Sequence, residues 1–172
     1  MSDTTFPALL SELHDLDYFH EEQDGDVIDF EPHEEFQSAD DRRRWFKAWT
    51  GNPTVDGAEF RVFGQDGTGG YVAFWLVHAD KDLLEQPIVF FGSEGELGVV
   101  ASDFSHYLWL LAGGVGPYEA IAYDAKLGEP IAEFTDFAEA HAACERMTPA
   151  EVVQKAQAEF PKVVEDIRAL AP

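Results

Sequence analysis

The sequence is poor in cysteine, in basic residues and in long apolar runs, and each scarcity excludes something. Its single cysteine, Cys144, has no intramolecular partner, so no internal disulfide braces the 172-residue chain and stability must come from a hydrophobic core. That economy suits a reducing compartment, and a cytoplasmic location is the expectation. Only 11 Lys and Arg stand against 34 Asp and Glu, a formal net charge of -23. Self-repulsion on that scale argues against nucleic acid and against an anionic membrane surface, and favours a basic partner. No stretch approaches the roughly 18 uninterrupted apolar residues of a membrane span, and Met1 to Leu10 lack the positive n-region and apolar run of an export signal. A soluble, unexported chain is expected.

What is present is enough to fill a core: 45% of the residues are hydrophobic and 13% aromatic, which separates the chain from disordered acidic polymers. The length fits a single domain over residues 1–172. The acid is concentrated locally. From Glu12 to Glu35 there are eleven acidic residues and no Lys or Arg, so residues 12–35 read as a solvated anionic segment, in which a loop with a brief strand is as plausible as a helix.

Around that segment the pattern predicts a short helix starting near Phe6 or Pro7, with Thr4 or Thr5 as cap and Leu9, Leu10 and Leu13 facing inward. A second helix is predicted from Ser38, its capping residue, to Trp49, with Asp40 and Asp41 at its positive end and Gly51, Asn52 and Pro53 stopping it. Strands follow at Glu59 to Phe63, Gly70 to Val77, Pro87 to Phe91 and Leu97 to Ala101. Two hairpins join them, one turning through Gln65 to Gly69 and one through Gly92 to Glu96. In Tyr71 to Val77 and in Ile88 to Phe91 both alternating sets are apolar, so these strands are expected to be covered on both faces. Ser102 and Asp103 open a helix that Gly113 and Gly114 end, and further helices are read at Tyr118 to Tyr123, Asp136 to Arg146 and Pro149 to Phe160. The last opens with the capping box Thr148-Pro149-Ala150-Glu151 and restarts after Pro161, which places C-terminal helices across residues 136–172.

No catalytic motif assembles from these elements. The glycine-rich run Gly64 to Gly70 leads into a strand and has no following Lys-Ser or Lys-Thr, so it reads as a turn rather than a phosphate loop. His14, His20, His33, His78, His106 and His141 lack metal-ligand spacing and are read as solvated surface residues; no metal site and no cofactor are expected. Cys144 is placed in the Asp136 to Arg146 helix as a packed thiol, and Ser93 is not in a Gly-x-Ser-x-Gly elbow. Trp75 and Trp109 read as core. Trp45 and Trp49, spaced i to i+4, form an aromatic stripe that either packs on the sheet or belongs to a partner surface, with packing favoured.

Three stretches together resemble the SUKH superfamily of immunity and regulatory domains. They are Phe63-Gly64-Gln65-Asp66-Gly67-Thr68-Gly69-Gly70-Tyr71, then Pro87 to Glu96, then Val100-Ala101-Ser102-Asp103-Phe104-Ser105-His106-Tyr107-Leu108. The resemblance lies in a Gly-Asp-Gly-x-Gly hairpin leading into the sheet, a second hairpin, and an Ala-x-x-Phe-x-x-Leu segment opening a helix. It covers Gly57 to Gly114. The family's Leu-Pro motif is absent, with Asp29-Phe30-Glu31-Pro32 in its approximate place, and the helices after Gly116 lie outside the match.

The resemblance implies an α+β fold with a mainly antiparallel sheet of about four to six strands, flanked by helices on both faces, and no enzymatic activity. It implies an immunity protein that binds and neutralises a basic, nuclease-type toxin domain, toward which an acidic surface would be steered. The alternative it implies is a regulatory or scaffold domain acting on a cellular protein. Partner-binding candidates are Asp66, Glu94 and Glu96 in the hairpin turns, Glu21, Glu22, Asp24, Asp26, Glu34 and Glu35 in the acidic segment, and Trp45 and Trp49. Glu94 and Glu96 serve equally well as solubility residues on exposed tips.

Overall fold

Both alternating sets of the central strands are apolar, and the fold buries both. The computed structural model describes residues 3–18, 28–123, 125 and 128–172. Its strands are β1 (Glu31–Pro32), β2 (Phe60–Gln65), β3 (Tyr71–Trp75), β4 (Ile88–Phe91) and β5 (Leu97–Ala101). They form one antiparallel sheet in the order β1-β2-β3-β4-β5, a meander in which every neighbour in sequence is a neighbour in space. Around it lie α1 (Ala8–His14), α2 (Ala39–Thr50), α3 (Phe104–Ala112), α4 (Pro117–Ala122), α5 (Ala132–His141), α6 (Pro149–Glu159) and α7 (Val163–Arg168). The α+β architecture with helices on both faces is as expected.

One face of the sheet presents Phe63, Val72, Phe74, Ile88, Phe90 and Val100 to Leu10 and Leu13 of α1, to α3, and to Phe134 of α5. The opposite face presents Phe60, Val62, Ala73, Val89, Phe91 and Val99 to Phe46 of α2 and to Val163 and Ile167 of α7. Helix α6 gives Val152 to the first core and Ala156 to the second, so it passes over the β5 edge and closes it. On the other edge β1 is only two residues long, and the His33 and Gln37 amides extend its cover by donating to the carbonyls of Phe63 and Val62. A bulge between Val62 and Gly64 accommodates Phe63 and turns its ring to the α3 face.

The second core is organised around Phe91. The rings of Trp45, Phe46, Trp49 and Phe60 stand nearly perpendicular to it, with centroids 5.0 to 6.1 Å away. Such edge-to-face contacts add to the burial of each ring. Helix α2 starts where expected, Ser38 accepting from the Asp41 amide, and the Thr148–Glu151 capping box opens α6.

Three expectations are corrected. Pro7, not a threonine, is the N-cap residue of α1, and its carbonyl accepts from Ser11. The helix read at Asp136 to Arg146 runs instead over Ala132–His141, because Phe134 and Ala138 supply the face that packs on α3 and no capping residue marks the start. Cys144 therefore lies in the α5–α6 connection, half-buried, with its carbonyl accepting from the Trp109 indole. Among the described residues no helix is long and apolar enough to cross a membrane.

The histidines are not all solvated either. His14 lies among the rings of Phe6, Phe30 and Phe63, with Nδ1 2.8 Å from the His33 carbonyl. A carbonyl only accepts, so the proton sits on Nδ1, and the Nε2 lone pair is buried without a donor. Burial holds this imidazole down at about 4, so it is neutral in the fold.

Two outcomes follow from these cores. Phe91→Ala removes the ring on which four others converge and is expected to lower stability by about 3 to 5 kcal/mol, measured by urea unfolding. Between the folded value of about 4 and the free value of 6.5, the unfolded chain binds the extra proton at His14 and the folded protein does not. Stability is therefore expected to fall as pH drops through that window, by up to about 3 kcal/mol from this group. Urea midpoints across the window should show a shallower slope for His14→Gln than for the parent protein.

Candidate functional site

At one end of the sheet the two hairpin turns lie side by side, and the acidic positions expected there divide into distinct roles. Gly69 and Gly95 take the positive φ angles, 93° and 98°, that let the two chains reverse tightly. Ser93 Oγ donates to Thr68 Oγ1 at 3.1 Å and ties one tip to the other.

Asp66 is not an exposed partner contact. Its side chain is buried, 1% exposed, and Oδ1 accepts from the amides of Thr68 and Gly70 and from the Thr68 hydroxyl, each at 2.8 Å. The carboxylate satisfies the turn's own donors, so it points inward. Glu94 is exposed at the apex of the second turn, and half-buried Glu96 accepts from the Glu94 amide at 3.3 Å.

Further carboxylates reach this end from elsewhere in the chain. Asp29 accepts from the Gly67 amide at 2.8 Å, and Glu31 on β1 accepts from Gln65 Nε2 at 2.9 Å. Glu119 on α4 accepts from the Asp29 amide at 2.8 Å; burial pushes its carboxyl above the usual range, and its Oε2 is buried without a donor. Beside it, Tyr118 packs its ring on Phe90 and against Tyr123, which is 62% exposed. The Tyr123 hydroxyl, and then the carboxylates of Glu96 and Asp66, push the Tyr118 phenol up to about 12. Among the described residues no ion pair involves Asp29, Glu31, Asp66, Glu94, Glu96 or Glu119. The exposed members, Glu31 and Glu94, with half-buried Asp29 and Glu96, leave an acidic surface with two tyrosines at its border.

Glu34 and Glu35 are exposed in the connection between β1 and α2. With His33, Phe36, Gln37, Ser38 and Asp41 they line an open groove that continues past Arg44, Trp45 and Ala48 to Tyr71. Trp45 and Trp49 are both half-buried on Phe91, as packing required. Trp49 is fastened further, its indole donating to the Gly92 carbonyl at 2.9 Å, whereas Trp45 keeps part of its surface in the groove. Glu21, Glu22, Asp24 and Asp26 lie outside the described residues.

Two reactive side chains away from the tips, His106 and Cys144, lie in packed surroundings. His106, also buried, has Nδ1 2.7 Å from Asp103 Oδ1, the oxygen that caps α3 by accepting the His106 amide at 2.9 Å. A carboxylate-oriented imidazole is part of a hydrolytic triad only with a nucleophile on its other nitrogen, and among the described residues no hydroxyl or thiol hydrogen-bonds His106. Burial raises the Cys144 thiol, which keeps it protonated and weakly nucleophilic. Among the described residues no group of three His, Cys, Asp or Glu side chains is placed to hold a metal ion.

Sequence reasoning located the two tips and the acidic segment that contains Asp29 and Glu31, without singling those two out, and overlooked Tyr118, Glu119 and Tyr123. The signal for α4 was limited to Gly116 and Pro117 at its start, which locates a helix and says nothing of its neighbours. Because Asp66 holds its turn, Asp66→Ala is expected to lower stability by about 1 to 3 kcal/mol in urea unfolding. Glu94→Ala, at an exposed apex, should stay within about 0.5 kcal/mol of the parent.

Compared with protein-family models, curated proteins and solved structures, the chain matches none.

Proposed function

We propose that the protein is a non-enzymatic immunity protein of the SUKH type, which binds and neutralises a basic, nuclease-type toxin domain through the hairpin-tip end of its sheet. The observation that carries this reading is the gathering of exposed Glu31 and Glu94 with half-buried Asp29 and Glu96 at one end of the sheet, with no paired Lys or Arg among the described residues. A nuclease cleft is basic because it must hold phosphates, and an acidic surface is drawn toward it over about a Debye length. Exposed carboxylates of this kind contribute mainly to association rate and to choice of partner. Affinity then falls to rigid aromatic area, which Tyr118 and Tyr123 supply at the border of the acidic patch. The hairpin resemblance supports the same reading.

Co-expression with the toxin domain encoded beside its gene tests the proposal. Survival of the host and recovery of a one-to-one complex are expected; no binding and no protection would remove the immunity reading. Recovery of a broad set of cellular proteins from the native host would favour a regulatory scaffold instead. The surface itself is tested by Glu31→Lys with Glu94→Lys, positions that leave the Asp66 turn intact. Their combination is expected to slow association with the basic partner by about tenfold and to flatten its dependence on salt, read by stopped-flow or surface-binding kinetics.

A further inference from the structure

The groove between α2 and the residues that follow β1 has a construction distinct from the hairpin tips. Its floor is aromatic: Trp45 lies 5.0 Å from Tyr71 and 5.1 Å from Phe91, centroid to centroid, and both Trp45 and Tyr71 keep part of their surface open. Its rim carries Glu34, Glu35 and Asp41. Among the described residues that line it, the one Lys or Arg is Arg44, which pairs with Asp41 at 3.3 Å. At the centre, where the two halves of the groove meet, Gln37 contributes to both, and its Oε1 is buried with no donor.

The walls are preformed. The Gln37 amide donates to the Val62 carbonyl at 3.0 Å, the His33 amide donates to Phe63 at 3.0 Å, and Ser38 Oγ accepts the Asp41 amide while donating to Asp41 Oδ2. The groove therefore needs little ordering when a ligand enters.

We propose that this groove captures an arginine side chain from an extended basic segment of the protein's partner. Guanidinium suits this construction: a planar cation that stacks on the open part of Trp45, with bidentate partners in the rim carboxylates. A lysine ammonium satisfies the charge alone, and an anionic ligand would face the rim carboxylates. The groove also adjoins the tip surface, since His33 Nε2 lies 3.2 Å from Gln65 Oε1 and Gln65 bonds Glu31. A basic partner seated on the tips can thus insert one arginine here. The inference rests on the reading of a basic protein partner and names the anchor point of that partner.

The test uses the full chain, labelled with ¹⁵N, and a blocked octapeptide of alternating arginine and glycine, alongside versions carrying lysine or citrulline in place of arginine, at physiological ionic strength. The arginine peptide is expected to shift the Trp45 indole N–H and the Gln37 side-chain amide signals. The lysine peptide should bind several-fold more weakly, and the neutral citrulline peptide should not shift these signals. Glu34→Gln with Glu35→Gln, both at exposed positions, is expected to weaken arginine-peptide binding by at least about fivefold while leaving the spectrum of the folded protein otherwise unchanged. Shifts confined to the tip amides, unaffected by the double substitution, would overturn the groove and leave the basic-partner reading standing. Equal binding of the citrulline peptide would overturn the role given to the cation. No shift anywhere would count against both.

Discussion

Phe90 and Phe91 are adjacent on β4 and face opposite ways, and the rest of the structure depends on both being buried. A strand sends successive side chains to opposite faces, so two consecutive phenylalanines with no exposed area demand a layer of packing on each side. Phe90 meets Tyr118 of α4 on one face; Phe91 gathers Trp45, Phe46, Trp49 and Phe60 on the other. The strand then ends at Gly92, whose carbonyl accepts the Trp49 indole. That hydrogen bond, with the Trp45, Phe46 and Trp49 rings on Phe91, joins α2 to the second hairpin.

The large negative charge of the chain does several different things once it is folded. Asp66 organises a turn from within, and Asp103 caps α3 while holding His106. Asp40 and Asp41 pair with Arg43 and Arg44 in the first turns of α2, where exposed pairs of this kind contribute little stability and complement the helix dipole. Glu31, Glu94, Glu34 and Glu35 are left exposed on the surface. Net charge therefore overstates the exposed negative surface, and the location of the unpaired part matters more than the total.

Features set by near neighbours in the chain were legible. The Ser38 cap and Gly51 stop of α2, the Thr148–Glu151 box of α6, and both glycine turns depend on residues within one turn of each other, so local pattern was enough. Features set by distant packing were not. Helix α5 has no cap, and its register follows from Phe134 and Ala138 meeting α3. His14 resembled a surface histidine beside acids, yet α1 packs it beneath Phe30 and Phe63. For the candidate site, Glu94 stood where a tip residue should; Tyr118, Glu119 and Tyr123 joined it only because α4 crosses the end of β4 and β5.

By itself the sequence determined that the sheet would be covered on both faces, where its turns would fall, and that the protein would be strongly anionic. These depend on composition, on the two-residue period of a strand and on the glycines a tight turn needs. Only the tertiary structure decided which carboxylates are free. At a turn the same Asp can point outward to water or inward to unsatisfied amides, and the choice at Asp66 rests on donors that the folded hairpin creates. Likewise Tyr71 lies far along the chain from Gln37 and Trp45. They line one groove because β1 and the residues after it seal the edge of β2 while α2 lies across the face that Phe91 presents.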